Sequence, residues 1–545
     1  MAPEAHELRR RVAGLVVVRA SGHLADHQRR YPRWELTNSS LQRLLAEGVG
    51  GVILLGGSAA ELGLRTRQLS AWAEAPLLLC ADVEEGVGQR FEGASWLVPP
   101  LALGRLYQRD PTAALALAHR YGACTAREAR AVGLNWLLAP VCDVNNNPAN
   151  PVINVRAWGE DPATVAALAG AFLRSAQAEG VLTCAKHFPG HGDTSDDSHL
   201  ALPLLPHDRA RLDAMELPPF RAAVAAGVAS VMTAHLLLPA LDHQRPATLS
   251  RRVLTELLRQ EMGFSGLIVT DALVMEAIAA HHGPGEAAVL ALEAGADLVL
   301  MPADADAAIA AIVAAVQSGR LAWSHLASSL ERRQQALAAV GGNREEPTAR
   351  QPLPGLTNGP AAQDQQLALE LVRTSLVIRG GGLPEGRTAS GGINLVRVDS
   401  LLPSCPALPG GAPALDRPAG RGLRTLLLDS RTSSPLGSDP EAPLDLERLG
   451  PGPVLLQLFI RGNPFRGSAG AQEPWAAVVR QLLAAQRLAG LLVYGSPYVW
   501  ESLEPLLPAG LAGGWSAGQM PLAQAELLAA LGWDAPTPAE GGFTD

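Results

Sequence analysis

The stretch Val181-Leu182-Thr183-Cys184-Ala185-Lys186-His187-Phe188-Pro189-Gly190-His191-Gly192-Asp193-Thr194-Ser195-Asp196-Asp197-Ser198-His199 joins an apolar run to a loop dense in ionisable groups. Val181 to Ala185 is short, apolar and free of glycine and proline, which reads as a buried strand. From Ala185 to His199, fifteen residues hold three histidines, three aspartates and one lysine, interrupted by Pro189, Gly190 and Gly192. A strand that gives way to such a loop predicts an α/β enzyme, because these folds carry their chemistry at the carboxyl ends of strands.

Outward from this stretch, short Leu- or Val-rich runs alternate with Ala/Leu/Glu/Arg-rich helical segments through the first 340 residues. The runs are Gly14 to Val18, Gly51 to Leu55, Pro76 to Ala81, Asn135 to Ala139, Val181 to Ala185, Val228 to Thr233, Gly266 to Thr270 and Ala296 to Met301. Eight strand–helix units predict a closed (β/α)8 barrel of the TIM type, an open doubly wound sheet being the alternative. Polar residues follow several runs: Asp82, Asp143, Lys186 with His187, His235 and Asp271. In a barrel all of these face one mouth, which makes distant residues a single candidate site.

After Ala339 the composition turns to Gly, Pro, Asn and charge, so residues 341–360 read as a linker between a barrel at 1–340 and a second domain at 361–545. In that second part the strand candidates are Ser375 to Ile378, Gly392 to Val396, Leu423 to Leu428, Pro453 to Leu458 and Gly490 to Val493, with a helix at Pro474 to Leu488. They predict a smaller α/β sandwich domain. The Pro/Gly/Ala-rich stretch from Pro403 to Gly422 is assigned no element.

The 545 residues, 48% hydrophobic, suffice for two large cores. A net charge of -9 with acids and bases interspersed leaves no basic stripe for nucleic acid and no polybasic membrane patch, so a small uncharged or polar substrate is expected. The first residues lack the apolar core of a secretory signal, and no apolar run reaches membrane-spanning length, so the expected location is cytoplasmic. Cys80, Cys124, Cys142, Cys184 and Cys405 are scattered singly without a CxxC pair and read as reduced, structural thiols.

The motifs resemble those of the family 3 glycoside hydrolases, in the bacterial β-N-acetylglucosaminidase branch and its two-domain form. Lys186-His187-Phe188-Pro189-Gly190-His191-Gly192 followed by Asp197-Ser198-His199 is similar to that branch's signature loop, and Gly266-Leu267-Ile268-Val269-Thr270-Asp271 with Met275-Glu276 to its nucleophile strand. Pro151 to Pro162, Pro246 to Ser250, Ala294 to Leu298, Leu369 to Ile378 and Gly495 to Tyr498 follow in the family's order, so the likeness covers nearly the whole chain. One segment departs. Where the branch has Gln-Glu-Gly-Gly-Arg after the third-strand aspartate, this chain reads Asp82-Val83-Glu84-Glu85-Gly86-Val87-Gly88-Gln89-Arg90.

The resemblance implies a retaining exo-glycosidase with no metal and no organic cofactor, acting on terminal β-linked N-acetylglucosamine from cell-wall-derived fragments, as in peptidoglycan recycling. It implies Asp271 as nucleophile, an Asp197/His199 dyad as general acid/base, and Asp82, Arg156, Lys186 and His187 as ligands of the sugar hydroxyls. Cleavage with retention needs a nucleophile beneath the ring and a proton donor at the leaving oxygen. A carboxylate at a strand end suits the first role and a histidine charged by a neighbouring aspartate the second.

Other readings of each residue stand beside these. Asp271 also fits the cap of a helix at Ala272 to Ala280, Arg156 a surface partner of Glu160 or Asp161, and His187 a satisfied core histidine. His191, Asp193 and His235 read as loop-shaping groups, and among the aromatics only Trp158 lies inside a motif. Within the same class, β-glucosidase and β-glycoside phosphorylase activities are alternatives. A metal-dependent hydrolase built on His187, His191, Asp193, Asp197 and His199, or a non-catalytic carbohydrate-binding protein, is the alternative of a different class.

Overall fold

The computed structural model describes residues 3–194, 202–341, 359–384, 391–399, 408–429, 436–437, 439–461 and 473–534. The chain divides into two compact units, Met1–Leu367 and Ala368–Asp545. The residues from 342 to 358, which make up most of the expected linker, lie outside the described residues.

The first unit holds β1 (Val16–Ser21), β2 (Gly51–Leu55), β3 (Leu78–Ala81), β4 (Trp136–Leu137), β5 (Cys184–Phe188), β6 (Ser230–Thr233), β7 (Leu267–Val269) and β8 (Val299–Leu300). Their pairing runs β4-β3-β2-β1-β8 in one sheet and β5-β6-β7 in another. Parallel bridges Trp136 to Leu182 and Val269 to Leu298 join the two sheets at both seams, so all eight strands form one ring. The strands read as continuous apolar runs because helices cover the outside while side chains fill the lumen, burying both faces. In β1, for example, Val16, Val17 and Val18 are each at most 2% exposed.

Outer helices start where the sequence supplies a cap. Asp110, Asp161 and Asp304 each accept a backbone N–H three residues on, and proline follows at the first helical position after Asp110 and Asp161. The helices Pro111–Ala131 and Pro162–Ala178 pack through Tyr121 and Phe172, with Trp158 between them at ring-centroid distances of 5.4 and 5.6 Å. Trp158 is 1% exposed and belongs to the core rather than to a sugar platform.

In the second unit β9 (Val377–Arg379), β10 (Gly392–Val398), β11 (Leu423–Leu428), β12 (Val454–Ile460), β13 (Leu488–Gly495) and β14 (Gly513–Ser516) form one sheet in the order β11-β10-β12-β13-β14-β9. All neighbours are parallel except β14 and β9. Strand β14 is absent from the sequence reading because in Gly513-Gly514-Trp515-Ser516 only Trp515 favours a strand; its burial is imposed by its neighbours. The expected helix at Pro474 to Leu488 is shorter, Trp475–Ala484, and Leu488 opens β13.

Part of the stretch left without an element, Pro413–Gly420, is a helix. Proline at its first position carries a preset φ, while Pro418 inside it removes the donor that would serve the Ala414 carbonyl. The side chains of Asn394 and Gln457 donate to that carbonyl instead, at 2.9 and 2.7 Å. The interruption that makes the segment read as loop is therefore repaired from the sheet.

Two further differences concern the barrel mouth. Strand β5 reaches Phe188, so Lys186 and His187 sit in the strand's last turn of register rather than beyond it. Between Ala185 and Phe188 the pairing with β6 is irregular, and the polar pair there breaks the apolar pattern by which strands are read. After Asp271 the expected helix Ala272 to Ala280 shrinks to Glu276–Ala279 behind Met275, so Asp271 caps no helix. No described helix is long and apolar enough to cross a membrane.

Candidate active site

The carboxyl ends of the barrel strands bring together four of the residues singled out from sequence. Lys186, at the end of β5 and 1% exposed, reaches Asp82, just after β3, with Nζ 2.7 Å from Oδ1. The same Nζ lies 2.6 Å from Oε1 of Glu84. Arg156 closes on Glu84 through two parallel contacts of 2.8 Å, Nε to Oε2 and Nη2 to Oε1. Its remaining nitrogen donates to the Val152 carbonyl at 2.9 Å. Glu84 is thus the buried pivot of a chain of charges running from Arg156 through Lys186 to Asp82, whose side chain is 35% exposed.

The charges fix one another's state. Burial alone would raise the Glu84 carboxyl, but Arg156 and Lys186 hold it well below the usual carboxylate range. Burial likewise opposes the ammonium of Lys186, and Asp82 with Glu84 outweighs it and raises its proton affinity. Arg156 is raised on balance by Glu84. A fixed, dry array of charges is the kind of frame that orients a polyhydroxyl ligand, since its groups lose little freedom when a hydroxyl binds.

His187 is attached to this frame from the other side. Its Nδ1 donates to Asp143 Oδ2 at 2.7 Å, which leaves Nε2 to accept from Arg156 Nη2 at 3.4 Å. Asp143, after β4, is fully buried and also accepts the backbone N–H of His187 and of His191. Burial pushes its carboxyl up, and His187 and His191 more than offset this, so it remains ionised. The tautomer and angle of the His187 ring are therefore set by Asp143.

Asp271 follows β7 and is half-buried. Its Oδ1 accepts the backbone N–H of Ala272 at 2.7 Å, and its own N–H donates to Thr233 Oγ1 at 3.3 Å. His235, fully buried, donates from Nε2 to the Ala272 carbonyl at 3.0 Å and so braces the turn that carries Asp271. In the ring of eight strands β3 and β7 stand opposite, which sets Asp82 and Asp271 across the mouth from each other.

The remaining assignments divide. Arg156 does not pair with Glu160 or Asp161: Glu160 binds Arg105 at 2.8 Å, and Asp161 caps its helix. His191 is buried with Nδ1 at 2.8 Å from Thr194 Oγ1, and burial lowers its pKa from the usual 6.5 to about 4, so it is neutral. Asp193 turns to His207 and Arg211, at 2.9 and 3.1 Å, and not to the sugar frame. The loop between them presses on the chain after β4; a Cβ at Gly192 would meet the Val144 carbonyl at 1.7 Å. Asp197 and His199 lie outside the described residues.

Two residues central to the frame were not singled out from sequence, Glu84 and the structural role of Asp143. Their signal is electrostatic: Arg156, Lys186 and His187 in apolar surroundings require buried acids, and Glu84 and Asp143 are acids near strand ends. The metal reading gains no convergence among the described residues. Asp193 groups with His207 and Glu216, and a second ligand-type trio is Cys124, Glu128 and Asp364; neither includes His187 or His191.

Residues 7–336 match the family described as "Glycosyl hydrolase family 3 N terminal domain", and residues 386–532 match "Bacterial Glycosyl hydrolase family 3 C-terminal domain". A β-hexosaminidase of Stenotrophomonas maltophilia (strain K279a) is 36% identical over 308 residues, 54% of this chain and 91% of that protein. β-Hexosaminidase A of Pseudoalteromonas piscicida is 38% identical over 244 residues, 42% of this chain, and the matched stretch spans 40% of that protein's length. Among solved structures, a family 3 β-N-acetylglucosaminidase from Paenibacillus sp. str. FPU-7 superposes with a TM-score of 0.76 at 28% identity, covering 97% of both chains.

Proposed function

The chain belongs to glycoside hydrolase family 3, and on that premise we propose that it is a retaining exo-glycosidase that removes terminal, non-reducing β-linked N-acetylglucosamine. Its substrates are cell-wall-derived fragments and its place is the cytoplasm, where such fragments are recycled. Relatives named β-hexosaminidase, and a structural relative named β-N-acetylglucosaminidase, support the sugar assignment.

In this reading the terminal sugar lies across the barrel mouth with its hydroxyls on Asp82, Arg156, Lys186 and His187 and its anomeric carbon over Asp271. The Asp271 carboxylate attacks that carbon while the imidazolium of His199 gives its proton to the leaving oxygen. The bond to the aglycone breaks and a glycosyl–Asp271 ester forms. In the second half the now neutral imidazole takes a proton from water, whose oxygen displaces Asp271 and returns the carboxylate. Asp197 keeps the imidazole charged before the first step.

The observation that carries the reading is the Asp82–Lys186–Glu84–Arg156 chain of contacts, a preorganised acceptor and donor array opposite a strand-end carboxylate braced by Ala272 and His235. The experiment is hydrolysis of the 4-nitrophenyl β-glycosides of N-acetylglucosamine and glucose, with and without chelator, with NMR of the first-formed sugar anomer. The expected result is preference for the acetamido sugar, indifference to chelator, and a β-anomer product. Glucose preference, chelator-sensitive activity, an α-anomer product or no turnover each overturns it.

A further inference from the structure

The segment Asn145-Asn146-Asn147-Pro148-Ala149-Asn150-Pro151-Val152-Ile153-Asn154 holds five asparagines in ten positions. Asparagine side chains bond to nearby backbone and so build turns. Asn147 Oδ1 accepts the Ala149 N–H at 3.0 Å, and Asn145 Oδ1 accepts the N–H of Asn154 at 2.9 Å. Asn154 itself stands at φ +42°, a conformation that asparagine adopts more readily than most residues.

Asn150, fully buried, uses both ends of its amide. Its Oδ1 accepts the N–H groups of Val152 and Ile153 at 2.8 and 2.7 Å. Its Nδ2 points to the loop that follows β5, donating to the carbonyls of His191 and Gly192 at 2.8 and 2.9 Å and reaching Thr194 Oγ1 at 3.4 Å. An amide offers two N–H groups and two lone pairs on oxygen, so every bonding position is taken and the group cannot be turned round. One side chain thus holds three of the four residues from His191 to Thr194. Asn146 holds the fourth, with Nδ2 at 3.3 Å from Asp193 Oδ2.

This seam lies where the chain departs toward the proposed acid/base. Asp197 and His199 follow Thr194 by three and five residues, so the point at which Thr194 is fixed bounds where the pair can reach. Farther on the chain is tied again, Leu237 N–H donating to the Pro203 carbonyl at 3.0 Å and Leu205 N–H to the Leu237 carbonyl at 2.9 Å. Among the described residues the side chain of Asn150 bonds to none of Asp82, Arg156, Lys186 and Asp271, so its influence on the reaction passes through the loop.

We propose that Asn150 is a positioning residue for proton transfer: by holding His191, Gly192 and Thr194 it aims the Asp197/His199 pair at the leaving oxygen. This rests on the proposed function for the roles of that pair. A proton donor acts only within hydrogen-bond reach of the atom it serves, so releasing the loop impairs proton donation while the attack by Asp271 is kept.

The test compares kcat/KM of the full chain on two aryl β-glycosides of N-acetylglucosamine, the 2,4-dinitrophenyl, whose leaving group needs no proton, and the phenyl, whose leaving group does. Asn150→Asp keeps an acceptor for Val152 and Ile153 and turns an oxygen on the loop carbonyls. Gly192→Ala strains the same seam from the loop side without adding charge, since a Cβ there meets the Val144 carbonyl at 1.7 Å. Asn147→Ala, whose amide bonds Ala149 within its own segment, is the control. The expected result in both seam variants is a loss of about 100-fold or more on the phenyl glycoside, the scale of a lost general acid, against less than about threefold on the dinitrophenyl glycoside. Azide then raises dinitrophenyl turnover in these variants and not in the wild type, and Asn147→Ala keeps the wild-type ratio between the substrates. That ratio does not depend on the fraction of enzyme folded, so a variant that is merely destabilised loses both activities alike. Equal losses on the two substrates, or a wild-type ratio in Asn150→Asp, overturn the proposal. A wild type that turns over neither glycoside strikes instead at the proposed function.

Discussion

Lys186 Nζ and Glu84 Oε1 meet at 2.6 Å, with their side chains 1% and 2% exposed. Because Glu84 also grips Arg156 with both oxygens, one carboxylate stabilises two buried cations. Removing such an acid leaves Arg156 without its carboxylate and Lys186 with Asp82 alone, and breaking a buried pair costs far more than the pair itself contributes. Glu84→Gln is therefore expected to lower the unfolding free energy by about 3 kcal/mol and to reduce kcat/KM. Asp82→Asn, whose side chain is 35% exposed, is expected to reduce kcat/KM with a smaller effect on stability. Urea unfolding beside steady-state kinetics separates them; equal stability losses would refute Glu84 as the pivot.

Asp143 positions His187 rather than touching substrate. An asparagine there donates to Nδ1 and moves the ring proton to Nε2, where it opposes the Arg156 N–H at 3.4 Å. Asp143→Asn is expected to lower kcat/KM by roughly 100-fold, the scale of a misplaced binding group, with most of the loss in KM if His187 serves ground-state binding. The Asp143 carboxyl is held below its ordinary value, so its contribution to stability is present above the ordinary aspartate range and is lost as pH falls through the lower native value. The stability deficit of Asp143→Asn should thus be full at pH 7 and shrink in acid. A deficit that does not change with pH would show that the aspartate's charge is not what holds the ring.

How far the sequence discloses this site follows from the physics of each residue. The barrel was legible because eight apolar runs alternate with helical segments and parallel strands need burial on both faces. Lys186 and His187 were legible as polar residues at a strand's carboxyl end, but the strand was cut short at Ala185 since a buried lysine and histidine mimic a loop. Asp143 was legible as a residue of the mouth but its role was not, and Glu84 was not singled out, because both roles depend on which side chains fold against them, and that pairing spans 72 residues for Glu84 and Arg156 and 44 for Asp143 and His187. The helix at Pro413–Gly420 escaped because its internal proline is compensated by side chains from other strands, and β14 because its glycines are buried only by neighbours.

His191 offers a pH test of the loop that ends β5. Its imidazole is buried and neutral, with a pKa lowered from 6.5 to about 4. A depressed histidine gives stability that is complete above the unfolded value and is lost as pH falls through the folded one, here from about 6.5 to about 4. Unfolding free energy in the wild type should therefore drop across that interval more steeply than in His191→Gln, the difference reaching a few kcal/mol at most. Parallel pH profiles for the two proteins would mean that His191 takes up its proton as readily in the folded state as in the unfolded one.

The separate duties proposed for Asp271 and His199 are distinguishable by a small anion. Asp271→Ala removes the nucleophile, which is expected to lower kcat by at least about 10³-fold. Azide admitted to the vacated space attacks the anomeric carbon once, giving the α-glycosyl azide. His199→Ala keeps the nucleophile and loses the proton donor, so a substrate with a good leaving group still forms the glycosyl–Asp271 ester. Azide then opens that ester without base assistance and gives the β-glycosyl azide, with restored turnover. The anomeric configuration of each azide, read by NMR, assigns the roles independently of rate: a β-azide from Asp271→Ala, or no rescue of His199→Ala with an activated substrate, removes the corresponding residue from the mechanism.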